Sequence, residues 1–354
     1  MEATAQPKAI VHDYNTTNKV GVAVVGLGRM GSVHIENAFL NPKSRLLYIV
    51  DVITEKAKEH AARYPGVKPS DSYEEVLKDP EVDMVVICTP TPLHPRMILQ
   101  AFEAGKHVFC EKPIAQQLED IEECYDAAKK ANKFLCCAFQ RRYDPQFRRA
   151  RNMLRSGAYG KIFDVRVCSR DHPLPNLAFL KTSGGFFHDC MSHDIDMARY
   201  LTGEDPTHVS ATGSAFLKEV AEIGDVDVAV ITLTFPSGAI ATLQSSRCST
   251  YGYDQRIEAN TEKAMIQVGN PKPHIVVLSS VEGETQCAAP YSFPQRYVEA
   301  YAEELKAFVD MILDGRNPEE DDTMAKRKDA VAVCRIANLA EEARQQKKVI
   351  PIEW

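Results

Sequence analysis

Six residues, Gly26-Leu27-Gly28-Arg29-Met30-Gly31, restrict what this chain can fold into more than any other segment. They follow directly on the apolar run Val20–Val25 and open a segment with helical spacing, Met30–Leu40. Strand, glycine-rich turn and helix together begin a βαβ unit. The first glycine permits the tight turn, the second lets a pyrophosphate approach the backbone, and the third lets helix and strand pack closely. The helix start then offers free N–H groups and the positive end of its dipole to phosphates. Taken alone the motif is weak, because a flexible turn carries it by chance. Asp51 strengthens it, standing 20 residues after Gly31 at the end of a second apolar run. A carboxylate there accepts hydrogen bonds from the adenosine ribose hydroxyls and repels a 2′-phosphate. Val52, Ile53 and Thr54 bring no arginine to neutralise such a phosphate, so NAD is expected rather than NADP. The competing reading of Asp51 is a surface acid that caps the next helix.

The pattern continues through the first 140 or so residues. Apolar runs Leu46–Val50, Met84–Cys88, His107–Cys110 and Phe134–Ala138 alternate with the helical segments Glu55–Tyr64, Pro95–Ala104 and Leu118–Ala131. Near-continuous apolar strands between helices predict a parallel sheet covered on both faces. After about Arg142 the pattern changes. A helix is predicted over Gln146–Ser156, a strand over Lys161–Cys168, and one helix from near Phe187 to Leu201. Between His208 and Leu278 the signal is mostly strand: Ala229, Ile231, Leu233 and Phe235 alternate, and Pro236-Ser237-Gly238 turns the chain into Ala239–Gln244. Helices over Tyr297–Leu313 and Met324–Gln346 close the chain. The expected fold class is α/β, with a doubly wound parallel sheet followed by an α/β domain built on a large, mostly antiparallel open sheet. The expected division is a disordered tail over 1–18, a dinucleotide-binding domain over 19–141, and a substrate-binding and oligomerisation domain over 142–354.

Composition excludes several classes. The net charge of -7 and the lack of any Lys/Arg block argue against nucleic-acid binding. The longest apolar runs are far too short to cross a bilayer, and residues 1–18 lack the continuous apolar stretch of a signal peptide. Ten cysteines occur without a Cys-x-x-Cys spacing, which fits buried free thiols in a reducing cytoplasm better than a disulfide framework.

Three ordered blocks then become specific. Thr89-Pro90-Thr91-Pro92-Leu93-His94, Ala104 through Glu111-Lys112-Pro113, and Gly184-Gly185-Phe186-Phe187-His188-Asp189-Cys190-Met191-Ser192-His193-Asp194-Ile195-Asp196 resemble the Gfo/Idh/MocA oxidoreductases. The resemblance runs over nearly the whole chain from about Lys19. Within that family, Arg141-Arg142-Tyr143-Asp144 and Tyr251-Gly252-Tyr253-Asp254 are similar to segments of inositol 2-dehydrogenases. Arg170-Asp171-His172 departs from the asparagine that such enzymes tend to carry near Asp171. The resemblance implies an N-terminal Rossmann domain and Lys112, Asp189 and His193 as the catalytic group. It implies that Gly26, Gly28, Arg29, Met30, Gly31, Asp51, Thr89, Pro90, His94, Glu111 and Lys112 surround the cofactor. Arg142, Asp196 and Tyr253 would join Asp189 and His193 in contacting a hydroxyl-rich substrate. It further implies a homo-oligomer, tetramer or dimer, joined through its sheets, and a Lys112-Pro113 peptide that is commonly cis.

Those residue types suit alcohol oxidation, which needs loss of the hydroxyl proton as the carbinol hydride leaves. Asp189 and His193 are four apart, so on one helix they would share a face. An imidazole with an ordinary pKa of about 6.5 suits the base. Asp189 would orient it or bind a neighbouring hydroxyl. Lys112 follows a strand at the ligand-binding edge of the sheet, where its ammonium stabilises developing alkoxide. The expected reaction is NAD-dependent oxidation of a secondary alcohol of an inositol or related polyol to the ketone. A sugar (aldose) dehydrogenase of the same family is the near alternative, and a dinucleotide-binding regulatory protein without turnover is the alternative of another class. A zinc site from His188, Asp189 and His193 is conceivable by residue type, but no further cysteine or histidine spacing completes it, so no metal is expected.

Overall fold

The computed structural model describes residues 19–354. The tail expected over 1–18 lies outside the described residues. The first half contains β1 (Val20–Val25), α1 (Arg29–Leu40), β2 (Ser44–Val50), α2 (Thr54–Ala61), β3 (Lys68–Ser70), α3 (Tyr73–Lys78), β4 (Met84–Ile87), α4 (His94–Glu103), β5 (His107–Glu111), α5 (Leu118–Ala131) and β6 (Leu135–Ala138). The strands form one parallel sheet in the order β3-β2-β1-β4-β5-β6. Every residue of β1, β4 and β6 is buried, as near-continuous apolar strands between two helical layers must be. The winding reverses between β1 and β4, and doubly wound sheets bind ligands beyond the carboxyl ends of their strands at such a switch. The chain is tied there by Gly26 N–H donating to Val50 O at 2.8 Å and Cys88 N–H donating to Val25 O at 2.8 Å.

Two elements of this half had no counterpart in the sequence reading. Lys68-Pro69-Ser70 lacks a β-branched run, and its proline is tolerated because β3 is an edge strand. The short helix α3 did carry a signal: Ser72 Oγ accepts from Glu75 N–H at 3.2 Å, the Ser-x-x-Glu start of a capped helix.

The second half contains α6 (Pro145–Arg155), β7 (Ile162–Arg170), α7 (Leu177–Leu180), α8 (Phe186–Asp189), α9 (Ser192–Thr202), β8 (His208–Ser214), α10 (Lys218–Glu222), β9 (Val228–Thr234), β10 (Ile240–Ser246), β11 (Asp254–Thr261), β12 (Met265–Val268), β13 (Val277–Ser280), β14 (Gly283–Gln286), α11 (Phe293–Arg296), α12 (Val298–Asp314), α13 (Arg327–Gln346) and β15 (Ile350–Pro351). Its main sheet has the order β12-β11-β7-β10-β9-β8-β15. Strands β7 and β10 run parallel and the other neighbours antiparallel. Ala229, Ile231 and Leu233 point into the core while the residues between them stay half-exposed, as expected of a sheet covered on one face. Helices α9 and α13 cover that inner face, and α12 returns to pack on α1.

One helix was expected from Phe187 to Leu201, and the chain instead makes two. Helix α8 stops at Asp189, and α9 begins at Ser192, with Ile195 N–H donating to Met191 O at 2.9 Å. In a continuous helix the Asp189 carbonyl would accept from His193 N–H. Here it accepts from Lys112 Nζ at 2.5 Å and Ser192 Oγ at 3.4 Å.

A buried ion network fastens α9 to α13. Arg142 grips Asp196 with two bonds of 2.6 and 2.9 Å and reaches Asp329 at 3.1 Å, while Arg199 meets the other Asp329 oxygen at 2.9 Å. Burial pushes the Asp329 carboxyl up, and the Arg142 and Arg199 guanidiniums more than reverse this, holding it well below the ordinary carboxylate value. Its stabilising contribution is full above about pH 4, the ordinary carboxylate value, and is lost only as pH falls through the depressed native value. Asp329→Ala leaves two buried guanidiniums short of a partner, so we expect a loss of roughly 3 kcal/mol. Urea unfolding at fixed protein concentration measures it, and an unchanged midpoint would show the network to be stability-neutral.

Candidate active site

The loop after β1 has the form a dinucleotide requires. Gly26 has φ +93, and a Cβ there would stand 2.7 Å from Cys88 O. A Cβ on Gly31 would fall 1.9 Å from Gly26 O, so α1 and the turn touch only because that residue is glycine. A Cβ on Gly28 would meet nothing within 4 Å, which leaves its backbone open to an incoming group. Helix α1 begins without a side-chain cap and without an acid in its first turn. A pyrophosphate fits this uncapped helix start. The Arg29 side chain turns away from the helix axis, with Nη2 donating to Ser292 Oγ at 2.5 Å and the guanidinium 4.1 Å above the Phe293 ring. Met30 is half-buried against the core.

Asp51 sits at the end of β2 as expected. Its oxygens accept from Leu27 N–H at 2.9 Å and Ile53 N–H at 3.0 Å, which joins the glycine loop to the turn before α2. No arginine stands just after Asp51, where Val52, Ile53 and Thr54 follow. The structure adds a cation from one turn further on, Lys56, whose Nζ lies 3.6 Å from Asp51.

The loops after β4 and β5 form the opposite wall. His94 is buried, and its ring nitrogens lie 2.8 Å from Thr89 O and 2.9 Å from Pro113 O. His94 was expected among the cofactor contacts; both its nitrogens are engaged by carbonyls, so its part is to tie the Thr89-Pro90 loop to the Lys112-Pro113 peptide. That peptide is cis. Glu111 Oε1 meets His34 Nε2 at 2.8 Å, and its other oxygen accepts weakly from Lys112 N–H at 3.3 Å. The side chains of Glu111 and Lys112 thus leave the strand end in different directions.

Lys112 reaches α8, with Nζ 2.5 Å from Asp189 O and 3.7 Å from Asp189 Oδ1. Asp189 Oδ2 accepts from Arg247 Nη1 at 2.7 Å, so the carboxylate is held between two cations and is not joined to His193. The expectation that Asp189 orients the imidazole is corrected on that ground. His193, in the first turn of α9, packs edge-on against Phe139 at 5.9 Å, and its Nδ1 is buried without a partner. Burial, then the charges of Lys112 and Arg141, hold the imidazole well below its ordinary value. His188 leaves the cluster altogether, with Nε2 2.8 Å from Asn338 Oδ1.

Asp171, just beyond β7, faces the same space. Its carboxyl meets Cys190 Sγ at 3.5 Å and is pushed up to about 6 by burial and by the neighbouring Asp189 charge. Tyr253 is buried against Tyr297 at 6.0 Å, within the field of Asp171 and Arg141. Arg141 is the arginine that acts on this space: it bonds Asp194 at 2.6 Å and Ser169 at 3.3 Å, and its charge bears on His193 and Asp171. Arg142 and Asp196 were expected as hydroxyl contacts. Both are buried, and each is saturated by the other and by the Asp329 network, so the structure gives them a framework role instead.

A glycine loop shaped for pyrophosphate beside a lysine, an acid and a neutral imidazole defines a dinucleotide-dependent oxidoreductase. Comparison with known proteins agrees. The model of the Gfo/Idh/MocA oxidoreductase family, NAD-binding Rossmann fold, matches residues 20–139, and that of the Gfo/Idh/MocA C-terminal domain matches residues 147–267. The chain belongs to the Gfo/Idh/MocA family and uses NAD. It is 38% identical over 308 residues to the myo-inositol 2-dehydrogenase of Thermotoga maritima, covering 86% of this chain and 92% of the relative. It is 36% identical over 304 residues to the scyllo-inositol 2-dehydrogenase (NAD(+)) of Bacillus subtilis, covering 85% and 88%. The crystal structure of scyllo-inositol dehydrogenase from Lactobacillus casei with bound NAD(H) and scyllo-inositol superposes with a TM-score of 0.85 at 26% identity, over 94% of this chain and 99% of that one.

Two outcomes follow from this geometry. Like-charge contact between Asp51 and a 2′-phosphate should make kcat/KM for NAD exceed that for NADP by about 100-fold, or about 2.8 kcal/mol. Asp51→Ala should narrow the gap to about tenfold because Lys56 then meets the phosphate, and adding Lys56→Ala should widen it again. Equal efficiencies in the unmodified protein would refute the assignment of Asp51. The second outcome concerns pH. Burial and the nearby cations lower the His193 pKa, so a His193 limb of kcat/KM is expected below pH 6.5. A limb centred near 6 should belong to Asp171. His193→Gln should remove the limb assigned to the imidazole and Asp171→Asn the one near 6; a profile unchanged in both variants would exclude these assignments.

Proposed function

We propose that this protein oxidises a ring secondary hydroxyl of an inositol or closely related polyol to the ketone, with NAD as hydride acceptor. The observation that carries this reading is that Asp189, at the end of α8, holds Lys112, and that the Lys112 charge bears on His193 in the first turn of α9. The inositol dehydrogenases among the relatives support the choice of alcohol. NAD, bound by the glycine loop and Asp51 with the Thr89-Pro90 and Glu111-Lys112 loops opposite, supplies the hydride acceptor. His193 accepts the hydroxyl proton. The Lys112 ammonium, fixed by the Asp189 carbonyl, stabilises the alkoxide. Asp189 Oδ1 and Asp171 accept hydrogen bonds from neighbouring hydroxyls, with Arg141 and Tyr253 behind them. On this reading residues 19–141 hold the cofactor and 142–354 supply the substrate wall.

The same reading includes a homo-oligomer, a tetramer through the outer face of the seven-stranded sheet. The hairpin β13–β14 supports it, since Ile275 and Val276 leading into it and Val277, Leu278 and Val281 within it are exposed, and a two-stranded unit is marginal alone in water. Ten unpaired thiols support a reducing compartment such as the cytoplasm. None of the described helices is long and apolar enough to cross a membrane.

The test is NADH absorbance with a panel of myo-, scyllo- and chiro-inositol and of aldoses. The expected result is highest kcat/KM on an inositol; preference for an aldose would move the substrate to sugars, and no turnover on any member would favour a regulatory protein. Lys112→Ala should lower kcat by about 10²–10⁴-fold with NAD affinity retained, as read by fluorescence titration.

A further inference from the structure

Arg247 is the largest fully buried side chain among the described residues, and it lies at the end of β10, outside every motif that marks the site. Its guanidinium spans two carboxylates. Nη1 donates to Asp189 Oδ2 at 2.7 Å and Nη2 to Asp225 Oδ2 at 3.0 Å, with Cys190 Sγ at 3.4 Å and the Phe186 ring 5.1 Å beneath. Asp225 in turn accepts from Phe186 N–H at 3.0 Å through Oδ1. The short helix α8 is therefore held at both ends by one arginine, directly at Asp189 and through Asp225 at Phe186. A four-residue helix has almost no stability of its own, so this arginine fixes where Asp189 lies.

We propose that Arg247 is a positioning residue for the alcohol chemistry, acting through Asp189. By engaging Oδ2 it turns Oδ1 toward Lys112 and the substrate space. It also shares the Asp189 charge between two cations, so that Lys112 Nζ rests on the Asp189 carbonyl at 2.5 Å while staying 3.7 Å from Oδ1. The planar fork matters, because a lysine reaches one carboxylate at a time and cannot brace both. The role rests on the catalytic reading of Asp189 given above.

The test compares Arg247→Lys and Arg247→Met with the unmodified protein, on whichever alcohol of the panel it turns over best. The expected result is a kcat lowered about 10-fold for Arg247→Lys and about 100-fold for Arg247→Met, with NAD affinity within about threefold. In an Asp189→Asn background the Arg247→Lys change should have no further effect, because its target is gone. Hydrogen–deuterium exchange gives a readout that needs no substrate: the peptide spanning residues 186–193 should lose protection in Arg247→Lys. Unchanged kcat in Arg247→Lys, or its full effect persisting in the Asp189→Asn background, overturns the proposal. So does unchanged protection of 186–193. Absence of turnover in the unmodified protein overturns the catalytic reading instead, while the exchange measurement still decides whether Arg247 braces α8.

Discussion

The contact between Lys112 Nζ and the main-chain carbonyl of Asp189 is the point on which the site depends. It joins the end of a strand in the first sheet to a helix of the second half, across 77 residues of sequence. That carbonyl is free to accept an ammonium only because the helix stops there. A carbonyl inside a continuous helix has its partner four residues on. The interruption at Cys190-Met191 thus converts what would have been one more helical hydrogen bond into a bridge between halves. It also separates Asp189 from His193, which a single helix would have placed on one face.

The buried ions serve the same end by holding geometry. Arg142, Arg199 and Asp329 fix α9 against α13; Arg247, Asp189 and Asp225 fix α8; Arg141, Asp194 and Ser169 fix the start of α9 against β7. Buried ion pairs are poor sources of net stability, since desolvation offsets most of the attraction. Their value lies in direction: a bidentate or bridging guanidinium admits few orientations of its partners. Three such braces surround the segment 186–199, which contains two of the three residues assigned to the chemistry.

How far the sequence revealed this depended on the range of the interactions. The glycine loop and Asp51 were legible because each glycine answers a local steric demand and the acid stands at a spacing set by one βαβ unit. The bounds of α5, Leu118–Ala131, were legible from its apolar period alone. Lys112, Asp189 and His193 were nameable because three blocks occur jointly and in order. Arg141 and Arg142 show where such reading fails. They are consecutive in a 3₁₀ turn, Gln140–Tyr143, in which successive side chains point about 120° apart. One acts on the site and the other enters the framework, and only the docking of that turn on α9 and α12 decides which. Arg247 and Asp225 were invisible for a related reason: their partners lie 58 and 22 residues away, and no local pattern couples the end of a strand to a distant loop.

The support under Lys112 extends the argument to the first half of the chain. Glu111, the residue before it, is pinned by His34 from α1, and Glu304 from α12 is buried nearby. Burial and the neighbouring Glu111 push the Glu304 carboxyl well above the ordinary range, which disfavours a second negative charge beside Glu111. The Lys112 charge itself is fixed by Asp189 and bears on His193. Burial first, and then Lys112 with Arg141, depress the His193 imidazole, so the cation proposed to steady a substrate alkoxide also helps keep the neighbouring imidazole unprotonated.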